Sequence, residues 1–196
     1  MENWQNTIQI VAFSTNVDSS QIQSPYEIIK EFLKYQDHIL LKKKDGLAIA
    51  FTTTLSNSTI TTKIMICSAL DLSREYNAIK DVNCYLLFVD LENKDSKNQL
   101  NLIIEYFLKY CNLLKKIYII GIYSSYVENL KKNIDEKQIK DIMNEANINK
   151  YIYKEMDVED NKKVSDIILE ILVAVENMPN KKKKTTGNSN QNCLIY

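Results

Sequence analysis

A chain of 196 residues, 45% of them hydrophobic, has material for one sizeable core and not for two. Lysine plus arginine match aspartate plus glutamate at 25 each, but four lysines are bunched at Lys181–Lys184 with no acid after Glu176, so the rest of the chain carries 21 basic and 25 acidic residues. An acidic body argues against a nucleic-acid-binding domain, which normally presents a basic surface, and no nucleic-acid partner is expected.

In chain order, "TIQIVAF" (7–13) predicts a first strand, and a polar stretch runs on from it to Pro25. "SPYEIIKEFLKY" (24–35) predicts a helix, with Ser24 as cap, Pro25 in the first turn and Glu27 closing a capping box. "LAIAFTTTL" (47–55) and "TITTKIMIC" (59–67) are rich in β-branched residues and separated by "SNS", the pattern of a hairpin. "NCYLLFVDL" (83–91) is an almost unbroken apolar run, as a central strand covered on both faces requires. A helix over 95–114 follows, with Leu100, Ile103, Ile104, Phe107, Leu108 and Cys111 at helical spacing. Then come a strand "KIYIIGI" (116–122), a helix over 135–147 with Asp135 and Gln138 as a capping box, a short strand "KYIYKEM" (150–156), and a last helix over 164–178. After Pro179 the composition turns polar and reads as a disordered tail. The expected fold class is α/β, in three layers, with a mostly parallel sheet and one antiparallel edge strand. The expected organisation is one domain over 1–178 and a flexible polybasic tail over 179–196.

The cysteines Cys67, Cys84, Cys111 and Cys193 form no CxxC pair, and His38 is the one histidine, so no structural zinc site is expected. The first three lie in apolar segments and read as small buried hydrophobes. The polar start "MENWQNT" shows no secretory signal, and no apolar run approaches the ~20 residues of a membrane span, so an intracellular, reducing location is expected. Other candidates have bland readings. Ser14, Thr15, Ser19 and Ser20 offer hydroxyls to an anion at the start of the first helix. The preferred reading is a solvated loop before a capped helix, and Asp18 would repel phosphate. His38 lies near a predicted helix end beside Asp37 and reads as a surface or packing residue. Asp90, at a strand end, reads as structural, and Tyr85, Tyr118, Tyr123 and Tyr126 read as core and rim aromatics.

Over residues 7–176 the order and lengths of the segments resemble the small GTPase superfamily, especially its Ras and Rab branches. The best local match is "NCYLLFVDLENKDSKNQLNLIIEYF", similar to the family's fourth strand, "DxxxxxSF" turn and third helix. "KIYIIGIYSSY" is similar to the strand with the guanine-reading motif, and "YIYKEMDVEDNKKVSDIILEI" to the last strand, its loop and the last helix. The resemblance implies a Ras-like fold of the P-loop NTPase type. The nucleotide chemistry does not accompany it. The phosphate loop GxxxxGK[ST] falls on Ser14–Gln21, with Ser14 and Ser19 for the glycines, Ser20 for the lysine and Gln21 for the magnesium-binding hydroxyl. Glycine lets that loop curl round phosphate, and the lysine neutralises it. The first-switch threonine falls on Gly46. The DxxG motif falls on Cys67–Leu70, with Asp71 in place of the glutamine. NKxD falls on Ile122–Ser125, leaving Ser125 for the base-reading aspartate, and SAK falls on Glu155–Asp157.

What the resemblance then implies is a degenerate GTPase, without GTP hydrolysis, whose fold serves as a protein-binding module in trafficking or signalling. No cofactor is expected. A divergent protein that still binds GTP or GDP with Mg2+ is the alternative, and a soluble adaptor or complex subunit a third. Partners are expected at the 47–55 edge and the 68–82 region, which match the interswitch and second switch. The ending "CLIY" puts Cys193 four residues from the last, as in a prenylation box, with Lys181, Lys182, Lys183 and Lys184 upstream to meet an acidic membrane at its cytoplasmic face. Tyr196 departs from the usual last residue.

Overall fold

A computed structural model describes residues 7–15, 25–34, 38–43, 46–55, 58–67, 82–126 and 132–177. Its elements are β1 (Thr7–Ser14), α1 (Pro25–Leu33), β2 (His38–Lys43), β3 (Gly46–Leu55), β4 (Ser58–Ile66), β5 (Cys84–Asp90), α2 (Ser96–Tyr110), β6 (Lys116–Tyr123), α3 (Glu136–Glu145), β7 (Ile152–Asp157) and α4 (Asn161–Glu176). The strands form one seven-stranded sheet in the order β2-β3-β4-β1-β5-β6-β7. β1 pairs in parallel with β4 and β5, and β5–β6 and β6–β7 are parallel, while β3 is antiparallel to both neighbours. The α/β class and the mostly parallel sheet are as expected from the sequence.

The position of the antiparallel strand is not. It was expected at the edge, but β3 has a partner on each side, and the edge strand is β2, for which the sequence reading had no element. "HILLKK" is too short to show a period of two clearly, and strand character there comes from pairing, His38 opposite Phe51 through Lys43 opposite Gly46. His38, read as lying near a helix end, is therefore the first residue of a strand.

Alternation along the strands divides the core of this one domain into two clusters, one on each face of the sheet. In β5 every residue is buried. Cys84, Leu86 and Phe88 join Ile28, Phe32, Ile168 and Leu172 under α1 and α4. Tyr85, Leu87 and Val89 join Leu100, Phe107, Ile139 and Met143 under α2 and α3. Successive strand side chains point to opposite faces, so an unbroken apolar run is what a sheet with helices on both sides needs. On the α2 side the rings of Tyr85 and Phe107 meet edge to face at 4.8 Å, and Phe13 lies 6.3 Å from Phe107. Each such ring stabilises the fold by about 1.5–3 kcal/mol through burial. The Asp135–Gln138 capping box forms as expected: the Gln138 amide donates to Asp135 Oδ1 at 2.8 Å and the Asp135 amide to Gln138 Oε1 at 3.0 Å. Gly121 sits where β6 meets β7. A Cβ there would lie 2.7 Å from Tyr153 Oη and 3.0 Å from both Leu91 methyls, so close packing explains this glycine. Ser24, the expected cap of α1, lies outside the described residues.

Candidate functional site

Open parallel sheets bind ligands beyond the carboxyl ends of their strands, where successive connections leave a strand in opposite directions. In this sheet that point lies between β1 and β5. The chain leaves β1 to build β2, β3 and β4 on one side, then crosses to β5 on the other.

Protein hydrogen bonds stitch this crevice together. The Thr15 amide donates to the Phe88 carbonyl at 3.0 Å, extending β1 against β5. Thr15 Oγ1 accepts from the Asp90 amide at 3.0 Å and shares a hydrogen bond with Ser96 Oγ at 3.2 Å. Asp90 Oδ1 accepts from the amides of Glu92 and Asn93 at 2.9 and 3.1 Å, which shapes the turn into α2. Thr15, Asp90 and Ser96 are all buried, so each polar atom needs its partner. Asp90 is structural, as read from the sequence. Of the two readings of Thr15, neither a solvated loop residue nor an anion-facing hydroxyl describes it: it is buried, and its oxygen is engaged by the end of β5 and the start of α2. Ser14, its neighbour at the end of β1, is half-buried.

The carboxyl ends of β6 and β7 form the second half of the site. The Ser125 amide and the Glu159 amide both donate to Asp157 Oδ1, each at 3.2 Å, and Ser124 Oγ donates to Glu159 Oε1 at 2.9 Å. Burial alone would raise the Asp157 carboxyl. Hydrogen bonds from Ser125 and Glu159, with Lys163 nearby, outweigh it and hold the group below its ordinary value. Glu92 moves the other way: burial raises it, the Ser124 amide opposes, and the charges of Asp90 and Asp157 add to the rise. Lys132 is paired with Glu155 at 2.5 Å and lies 5.2 Å from the centre of the Tyr123 ring. Glu155 also accepts from Tyr153 Oη at 3.0 Å.

The positions expected to match nucleotide motifs separate into two groups. Ser19, Ser20 and Gln21, most of the 68–82 region, and the tail with Lys181–Lys184 and Cys193 lie outside the described residues. Of the others, Gly46 opens β3, and Cys67 is buried just past β4 with its amide donating to the Ala12 carbonyl at 2.9 Å. Ser125 is tied to Asp157, and Glu155–Asp157 are strand residues of β7 rather than a loop. These positions carry little of the chemistry that a magnesium nucleotide needs, among the described residues. Cys67 and Ser125 are not carboxylates, Thr15 is engaged, and Glu92, Asp157 and Glu159 bring negative charge to this end of the sheet. Tyr85 and Tyr118 are buried, whereas Tyr126 is 79% exposed.

Sequence reading missed the Thr15–Ser96 stitch, although a signal was present. Asp90 and Ser96 are the aspartate and serine of the "DxxxxxSF" spacing, with Lys97 at the phenylalanine position. No family model matches the chain, and no curated protein matches it either.

Proposed function

We propose that this chain is a Ras-like domain whose nucleotide crevice has been given over to the protein's own hydrogen bonds, and that it works as a protein-binding module without GTP hydrolysis. The observation that supports this reading best is the buried Thr15–Asp90–Ser96 set. It engages, in bonds within the protein, polar groups at the switch point where a ligand of an open α/β sheet would otherwise find them. The parallel sheet with one antiparallel strand and helices on both faces agrees with the resemblance.

Partner binding along the β3 side of the sheet meets β2, since β3 is paired on both sides. An edge strand offers free backbone groups for strand addition. The 68–82 segment is the second partner surface in this reading, and the tail is its membrane connection, with Cys193 as the lipid-bearing residue and Lys181–Lys184 as the electrostatic part.

The test is nucleotide binding by the full chain. Nucleotide extracted from the purified protein is measured, and GTP and GDP are titrated with magnesium by calorimetry. The expected result is no retained nucleotide and no heat up to about millimolar concentration, weaker than roughly −4 kcal/mol of binding. Tight magnesium-dependent binding overturns the reading and makes the chain a divergent GTP-binding protein.

A further inference from the structure

The amino ends of the strands form the pole opposite the crevice, and a second surface is built there. Between α2 and β6 the chain makes a tight turn. The Leu114 amide donates to Asn112 Oδ1 at 3.0 Å, and the Lys115 amide donates to the Asn112 carbonyl at 3.0 Å. This turn holds Leu114 outward, 92% exposed, the most exposed large apolar side chain among the described residues. Beside it lies a shallow groove of about 340 Å³ between the starts of β6 and β7, with Leu113, Leu114 and Ile152 among its apolar residues and Lys115, Lys116 and Lys150 also lining it. Among the described residues no acidic one lines it. Leu113 and Ile152 are themselves 39% and 40% exposed.

We propose that this pole docks on an acidic lipid surface, with Leu114 entering the headgroup boundary and Lys115 and Lys150 facing anionic headgroups. An apolar side chain held at a tip with lysines beside it matches the chemistry of such an interface: apolar area enters it, and each cation near an acidic leaflet adds attraction. Lysine, a flexible point charge, suits a diffuse layer of headgroups, where a defined carboxylate would favour the fork of arginine. A second copy is a poor occupant, because a two-fold contact would set the same three lysines against each other. The chain's own last segment is a poor one too, since it brings Lys181–Lys184.

The point at which α4 ends favours the membrane over an acidic protein. Lys116 Nζ donates to the Ala174 carbonyl at 3.3 Å, so the last turn of α4 lies beside the groove. Residues 178–196, with the four lysines and Cys193, continue from that point. The folded pole and the tail therefore start from the same end of the molecule. The surface extends the membrane part of the reading above and is independent of nucleotide binding and of lipid attached to Cys193.

The experiment is co-sedimentation of the full, unlipidated chain with phosphatidylcholine vesicles and with vesicles also containing phosphatidylserine. The parent, Leu114→Ser/Lys115→Ser/Lys150→Ser, a tail variant with Lys181–Lys184 changed to serine, and the two sets combined are compared, with thermal midpoints checked. The parent should prefer acidic vesicles, and the groove variant should bind them on the order of 20-fold more weakly at an unchanged midpoint. The combined variant should bind more weakly than the tail variant. If the groove changes have no effect in either background, the tail alone makes the contact and the proposal fails. It also fails if the parent ignores acidic vesicles, or if polyglutamate binds the groove while vesicles do not.

Discussion

Replacing Thr15 by valine keeps the shape of the side chain and removes one oxygen. That oxygen accepts from the buried Asp90 amide and meets the buried Ser96 hydroxyl. A buried donor left without its acceptor costs about 1–3 kcal/mol, and Ser96 adds a second polar atom without its partner, so the expected loss is about 2–4 kcal/mol. Against a total stability of about 5–15 kcal/mol this is large. Thr15→Ser keeps the oxygen and loses a methyl group, for about 1 kcal/mol. Urea unfolding followed by circular dichroism separates the two. Thr15→Val should lower the midpoint by roughly 1 M or more with an unchanged slope, and Thr15→Ser by much less. Combining Thr15→Val with Ser96→Ala should cost less than the sum of the single changes, because the two hydroxyls share one interaction. If Thr15→Val lies within about 0.5 kcal/mol of the parent, the hydroxyl is not stitched between β1 and β5. The proposed engagement of the switch point by the protein's own side chains would fall with it.

Gly121→Ala should cost about 1–3 kcal/mol by thermal or urea unfolding, because its methyl meets Tyr153 Oη at 2.7 Å. Adding Tyr153→Phe should recover part of the loss, and no recovery would mean that the crowding lies with Leu91. Glu92→Gln tests the charge at the carboxyl end. Glu92 is raised in the fold, so the protein gains stability as pH falls through that raised value toward the ordinary 4.5. Asp157 is lowered, so its contribution is lost only as pH falls further, below its ordinary 3.8. The Glu92→Gln variant should melt higher than the parent at neutral pH and match it once Glu92 is protonated. A midpoint difference that is the same at every pH would refute the assignment.

Local pattern was enough for most elements. The apolar run 83–91 could be covered only on both faces, the spacing through Leu100, Ile104 and Phe107 suits only a helix, and Asp135 with Gln138 forms a cap from neighbours in sequence. Serines where the loop motif needs glycine and lysine, at 14, 19 and 20, already spoke against a phosphate loop, since that loop's geometry is a property of its own backbone. Tertiary structure decided the rest. Whether "HILLKK" is strand or loop depends on β3 lying beside it, and that pairing is what takes 47–55 from the edge. Thr15 and Ser96 stand 81 residues apart, and nothing local brings one hydroxyl to the other. Asp157 and Glu92 are ordinary carboxyls until the ends of β5, β6 and β7 come together. Burial and neighbouring amides then move one down and the other up, because both effects depend on distance in space and not on distance along the chain.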